Sequence, residues 1–201
     1  ASSQESSSAS IAYAHGAFSA AAGYVFAKND GAGGVGTADQ TQNSSVTPLF
    51  GDDPFVGSRL ITHVAVQYVW NELTANVRYS NAQWKPYASF AAFNRKETFN
   101  TGAASLDYQM TPAVALNIGY TYTRSTGGSS ATYNNVAAGV EYSLSKRTTL
   151  YAIGGYSHAH GTTFSEDGNH IVSAGGTVGD LESSSATPNQ VALIFGLTTK
   201  F

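Results

Sequence analysis

Apolar and polar residues alternate with a period of two along most of the chain. The alternation is interrupted by short segments rich in Gly, Asn, Asp and Pro. A period of two puts successive side chains on opposite faces, so each run predicts a β-strand with one apolar face. The last run is the clearest. Val191, Leu193, Phe195, Leu197, Thr199 and Phe201 share one face, and Gln190, Ala192, Ile194, Gly196, Thr198 and Lys200 share the other.

Working forward, residues 1–8 read as a polar loop end. Ala9, Ile11 and Tyr13, then Phe18 to Phe26, form a hairpin around His15-Gly16. Residues 28–57 read as a long polar loop, with Asp52-Asp53 at a solvated tip. Arg59 to Trp70 and Leu73 to Ser80 form a second hairpin about Asn71-Glu72, while residues 81–96 fit either a strand end or a packed loop. A third hairpin pairs Ala103–Met110 with Val114–Tyr122 about Thr111-Pro112. After a short loop from Ser125 to Ser130, a fourth turns at Lys146-Arg147. A polar loop containing Glu166-Asp167, expected from about His160 to Pro188, leads into the final strand.

These runs make about nine strands of roughly ten to twelve residues, near the length a tilted membrane-spanning strand needs. Tight turns alternate with longer loops, as periplasmic turns and extracellular loops do in a transmembrane β-barrel. The expected class is therefore all-β, a transmembrane antiparallel barrel formed by residues 1–201 as a single domain. The first strand begins on the loop side and the last ends on the turn side. Closed bacterial barrels carry an even strand number, so the expectation is the C-terminal part of a larger barrel, perhaps of sixteen strands. A complete barrel of eight or ten strands with a structural or adhesive role is the alternative. A soluble β-rich binding module is a third.

Composition narrows these options. Charged residues are 11% of the chain, well below the roughly 25% of soluble domains. Mean hydropathy is only −0.15 and no apolar run reaches the length of a helical span. A barrel wall hides its hydrophobicity in alternate residues, which reconciles the two values. A net charge of −3 with no basic cluster gives no reason to expect nucleic acid, and with no cysteine neither disulfides nor thiolate metal sites can form.

The few charges fall on one side of the alternation. Arg59, Arg78, Asp107 and Glu141 lie on polar faces, where His63, Gln67 and Asn117 join them as candidate pore-lining residues. An Arg or Lys on the lipid face would cost roughly 2–4 kcal/mol at the midplane. Arg59 and Arg78, on adjacent strands, either form a basic patch on the wall or are neutralised by neighbouring carboxylates. Tyr24, Tyr68, Trp70, Tyr120 and Phe201, with Phe26, Tyr79 and Tyr122, fall on apolar faces and suit interfacial girdles.

Catalytic and metal chemistry find little support. His158 and His160 share a face, but no third ligand is evident. There is no G-x-S-x-G elbow and no phosphate-binding glycine motif, so neither an enzyme nor a cofactor is expected.

The run Tyr142-Ser-Leu-Ser-Lys-Arg-Thr-Thr-Leu-Tyr-Ala152, followed by Gln190-Val-Ala-Leu-Ile-Phe-Gly-Leu-Thr-Thr-Lys-Phe201, resembles the end of general porins from β-proteobacteria. In those proteins an L-S-K-R-T-x-L-Y-A turn precedes a closing strand that ends in a basic residue and Phe. The resemblance extends more loosely over the whole chain. It implies an outer-membrane location in a Gram-negative cell and a sixteen-stranded barrel assembled as a homotrimer among lipid and lipopolysaccharide. It also implies passive passage of ions and small hydrophilic solutes. The family's N-terminal strands and its inward third loop have no counterpart in these residues. A trimer would bury small outward residues such as Ala20 and Ala22.

Overall fold

The computed structural model describes residues 5–28, 56–86, 93–165, 170–178 and 185–200. They form a single antiparallel sheet of ten strands. In chain order these are β1 (Glu5–His15), β2 (Phe18–Lys28), β3 (Val56–Trp70), β4 (Leu73–Pro86), β5 (Glu97–Thr111), β6 (Val114–Thr126), β7 (Ser130–Ser143), β8 (Thr148–Phe164), β9 (Ile171–Ser173) and β10 (Asn189–Thr199). Strands β1 to β8 lie side by side in that order and β10 follows β8. The short β9 pairs only with the far end of β8.

All nine long strands coincide with the alternating runs, but several reach further. β1 begins at Glu5, within the segment read as a loop. β4 continues to Pro86, which makes the first six residues of the ambiguous stretch strand, with residues 87–92 outside the described ones, and β8 extends to Phe164 past the expected loop start at His160. In each case the backbone ladder continues into residues whose polar side chains conceal the period. The β6–β7 connection is only residues 127–129, so the loop side is not uniformly long. At the opposite end, Gly16 has φ 57° and Asn71 has φ 51°. Two-residue hairpin connections require such left-handed positions, which Gly and Asn supply at least cost.

Register fixes the two faces. Phe18, Ala20, Ala22, Tyr24 and Phe26 lie opposite Tyr68, Val66, Val64, Thr62 and Leu60. The same face continues through Val77, Ala104, Tyr120, Val136, Tyr156 and Val191. Its large side chains are exposed, Phe195 at 76% and Leu193 at 69%. A soluble protein seldom leaves so broad an apolar surface bare.

The apolar band crosses the strands obliquely. On β2 it extends to Phe26, which is level with Leu60 and Gln83. On β8 it stops at Tyr156, whose level meets β2 at Ala20. The turn-side border shifts in the same sense, from Phe18, level with Tyr68, to Leu197, level with Leu150, Tyr142 and Val114. Parallel borders at a slant are what tilted strands show against a flat membrane.

The polar face as candidate functional site

On the other face the middle of the sheet is floored with small residues. Ala12, Ala21, Ala65, Ala103 and Thr121 form one continuous row, broken only by Arg78 between Ala65 and Ala103. No carboxylate stands opposite Arg78 on either neighbouring strand. The next row toward the turns is polar and linked across four strands. Ser19 Oγ donates to Gln67 Oε1 at 3.4 Å, Gln67 Nε2 to Asn76 Oδ1 at 2.9 Å, and Asn76 Nδ2 to Asp107 Oδ2 at 3.1 Å.

The six residues singled out as pore-lining, Arg59, His63, Gln67, Arg78, Asn117 and Glu141, all lie on this face. They are not gathered into one cluster. Arg59, His63, Gln67 and Arg78 share β3 and β4, Asn117 lies on β6 opposite Gly139, and Glu141 lies on β7 opposite Tyr151. Asp107 is engaged by Asn76 and is level with Thr74, whereas Arg78 is level with Ala103. The cations thus sit on β3–β4 and the carboxylates elsewhere along the wall. Arg59 Nε is buried without a hydrogen-bond partner among the described residues.

Several polar side chains lie across glycines of an adjacent strand. A Cβ built on Gly23 would come 3.1 Å from His63 Nε2, and one on Gly139 2.7 Å from Asn117 Oδ1. The Tyr151 ring likewise covers Gly196. A flat glycine floor lets each ring or amide lie along the wall instead of projecting from it. Asn76 and Tyr151 were not singled out in the sequence. Asn76 had the signal, since it alternates in phase with Thr74 and Arg78.

On the apolar face, Tyr68 and Trp70 lie at the turn side, and Tyr24 toward the loops. Tyr120 sits mid-strand, but its hydroxyl reaches Asn134 Oδ1 at 2.7 Å. Tyr79 does the same to Asn100 at 2.7 Å and Tyr156 to Asn189 at 2.8 Å. Each pair carries the ring in the apolar band and the hydroxyl at its polar border, the arrangement that suits an interfacial tyrosine. Phe201, Asp52-Asp53 and Glu166-Asp167 lie outside the described residues. His158 and His160 lie on the Tyr156 face, and His158 Nδ1 is 2.7 Å from Asn189 Oδ1. No group of three possible metal ligands occurs among the described residues.

Above the band, at the loop end of β5, Glu97 is fully buried. Its carboxylate accepts from Gly128 N at 2.7 Å, Ser129 N at 3.2 Å and the Ser129 hydroxyl. Arg95 donates to Gly127 O at 2.6 Å. Gly127 has φ 144°, and a Cβ there would strike Glu97 Oε2 and come 2.5 Å from Lys96 O. Burial pushes the Glu97 carboxyl above its ordinary value, against the opposing pull of Ser129, Gly128 and Arg95.

An antiparallel sheet with an oblique apolar band outside and small or polar residues inside defines the wall of a membrane β-barrel. The chain belongs to the Gram-negative porin family, whose model matches residues 1–162. It is accordingly an outer-membrane β-barrel protein. Its fold is similar to the outer-membrane expressed OmpT of Vibrio cholerae, with TM-score 0.66 and 17% identity, covering 97% of this chain and 56% of that one. It is also similar to the anion-selective porin from Comamonas acidovorans, with TM-score 0.64 and 15% identity, covering 96% of this chain and 48% of that one. The chain therefore spans about half the length of these solved structures. No curated protein matches the sequence significantly.

Proposed function

We propose that this wall lines a general diffusion channel, through which ions and small hydrophilic solutes pass without catalysis or cofactor. The supporting observation is the small-residue floor around Arg78. Barrels of about eight strands fill their interior with side chains. A floor of Ala12, Ala21, Ala65, Ala103 and Thr121 cannot fill one, so it suits a wide, wet lumen better than a plugged barrel. In that lumen Arg78 favours anions on the β3–β4 side of the wall.

Unpaired strand edges do not persist in lipid. β1 and β10 do not pair with each other in the described sheet; closure would need further strands, sixteen in all if the barrel follows the general porins that the sequence resembles. Three such barrels would pack through small apolar-face residues such as Ala20 and Ala22, with the remaining outer surface against lipid and lipopolysaccharide. Two measurements test this reading. Protein purified from the outer membrane and placed in planar bilayers should give stepwise, ohmic conductance in threes, and absence of conductance would sink the channel. The denatured polypeptide should have a mass well above the 21.0 kDa of the residues shown, and a match to that value would defeat the larger single-chain barrel.

A further inference from the structure

The segment after β9 does not stay at the rim. It turns in and runs down the polar face of β8. Ala174 N donates to Gly161 O at 3.0 Å, and Ala174 is buried with Ala131, Tyr133 and Ala159 of the wall. Deeper, Thr177 N donates to Ser157 Oγ at 3.0 Å, and Val178 N to Gln190 Oε1 at 2.6 Å. The Asn135 amide, assigned from its hydrogen-bond neighbours, donates to Thr177 O at 3.2 Å. At the bottom, a Cβ on Gly155 would lie 2.5 Å from Val178 Cγ1. Returning residues hold the segment from behind, Gly176 N donating to Thr187 O at 3.0 Å and Ser185 N to Gly176 O at 2.9 Å.

Three wall side chains from three strands, β7, β8 and β10, are thus spent on the backbone of one short segment. Ser157 is fully buried by it. A loop that only connected β8 to β10 would gain nothing from such anchoring, because both strand ends already pair directly. The depth is informative too. Ser157 is level with Asn135, Thr121, Ala103 and Arg78 along the ladders. Gly155 and Arg78 each adjoin the aromatic at the loop-side border of the apolar band, Tyr156 and Tyr79, so the oblique band places them at the same depth.

We propose that residues 174–178 form a fixed inward strap that narrows the channel at the depth of Arg78. The strap, seated on the wall at Gly155 through Val178, then sets the width of the passage, and Arg78 its charge. This inference rests on the channel reading, and the test separates the two.

Because the chain has no cysteine, Gly155→Cys with Val178→Cys gives a single addressable pair. A Cβ on Gly155 lies 3.8 Å from Val178 Cβ, within disulfide range. In the full-length protein mild oxidation should close this bond, and the locked form should conduct like the reduced one. Ser157→Ala with Gln190→Ala removes two anchors and should raise conductance about twofold. Val178→Asp leaves the anchors in place and should shift the reversal potential toward cations, which keeps the test open if the anchor variant folds poorly. Failure of the bond to form, or a locked form conducting less than half as well as the reduced one, would overturn the strap. So would unchanged conductance and selectivity in the variants. Closure of the disulfide in the double-cysteine protein, with no current from either that protein or the wild type, would overturn the channel reading instead.

Discussion

The polar face is built in two ways. Across the middle of β2 to β5 it is bare, with Ala21 and Arg78 exposed and Ala65 and Ala103 half-exposed beside them, whereas toward the loops Ala27, Ile61, Trp84 and Glu97 of the same face are buried. Across β7, β8 and β10, toward the loops, it carries a second layer. There Ala131, Tyr133, Ser157 and Ala159 are 0–2% exposed. Both regions obey the same period-two alternation, so strand pattern does not distinguish them. The difference lies in what the polar groups answer to. On the bare wall water satisfies them and sequence is free to choose charge. Under the strap each must find a protein partner, because an unpaired buried polar group costs about 1–3 kcal/mol.

The sharpest way to break the comparison is to place one bulky residue in each region. Ala159→Leu adds three carbons between Tyr133 and Ala174 and should destabilise by about 1–3 kcal/mol. Ala103→Leu on the open floor should stay within about 0.5 kcal/mol while lowering conductance. Denaturation in detergent reads the first quantity and bilayer recording the second. Equal stability losses at the two sites would mean that the floor is also covered.

Glu97 tests the roofed end through its charge. Glu97→Ala orphans the donors at Gly128 and Ser129 and should cost about 1–3 kcal/mol, loosening the β6–β7 link. The folded carboxyl is raised above its ordinary value near 4.5. Its stabilising contribution is therefore full at acid pH and is lost as pH rises through the raised folded value. Amide protection at Gly128 and Ser129, corrected for intrinsic exchange, should fall as pH rises above the ordinary carboxyl value of 4.5. Glu97→Gln should flatten that profile. An equally steep profile in the glutamine variant would assign the effect to another group.

A smaller loss is expected on the bare wall from Asn76→Ala, which removes the link from Gln67 to Asp107. The polar groups released there meet water, so about 0.5–1.5 kcal/mol is the most that one such bond contributes. A loss well above that range would show that the ladder is shielded from solvent.

The legibility of the two regions in the sequence follows the same division. Alternation exposed the bare wall fully. Arg59, His63, Gln67 and Arg78 could be put on one face from position alone, because successive strand residues alternate between faces, but position did not show that Arg59 lies at the covered loop end beside Ala27 and Trp84. The roofed wall was hidden. Nothing in the alternation sets Ser157 and Gly155 apart, and the segment around Val178 read as part of a loop, since its contacts are with residues set by the return of the chain. The Glu97 clamp was equally invisible, joining positions about thirty apart through the backbone of a three-residue link. Extension of β4 was left ambiguous and that of β8 was missed because the buried side changes beyond the apolar band: Ala82, Trp84 and Thr163 are buried on the face that is polar lower down, while the other face carries Asn81, Gln83 and Lys85 on β4.

Arg78 gives the last and smallest stability effect but the most direct functional one. It is exposed, has Ala65 and Ala103 as cross-strand neighbours, and satisfies its guanidinium in water. Arg78→Gln should leave unfolding in detergent unchanged within about 0.5 kcal/mol. On the proposed channel reading the charge, with no adjacent carboxylate among the described residues to screen it, would favour anions at that depth. The same variant should therefore move the reversal potential in a salt gradient toward cations, and the shift should shrink as salt rises toward 1 M, where the screening length falls to about 3 Å. The Ala103→Leu variant keeps this charge, so it should reduce conductance without the same change in selectivity. If Arg78→Gln instead destabilised the barrel and left selectivity untouched, the arginine would belong with Glu97 as a packing element, and the bare wall would have to be redrawn as roofed.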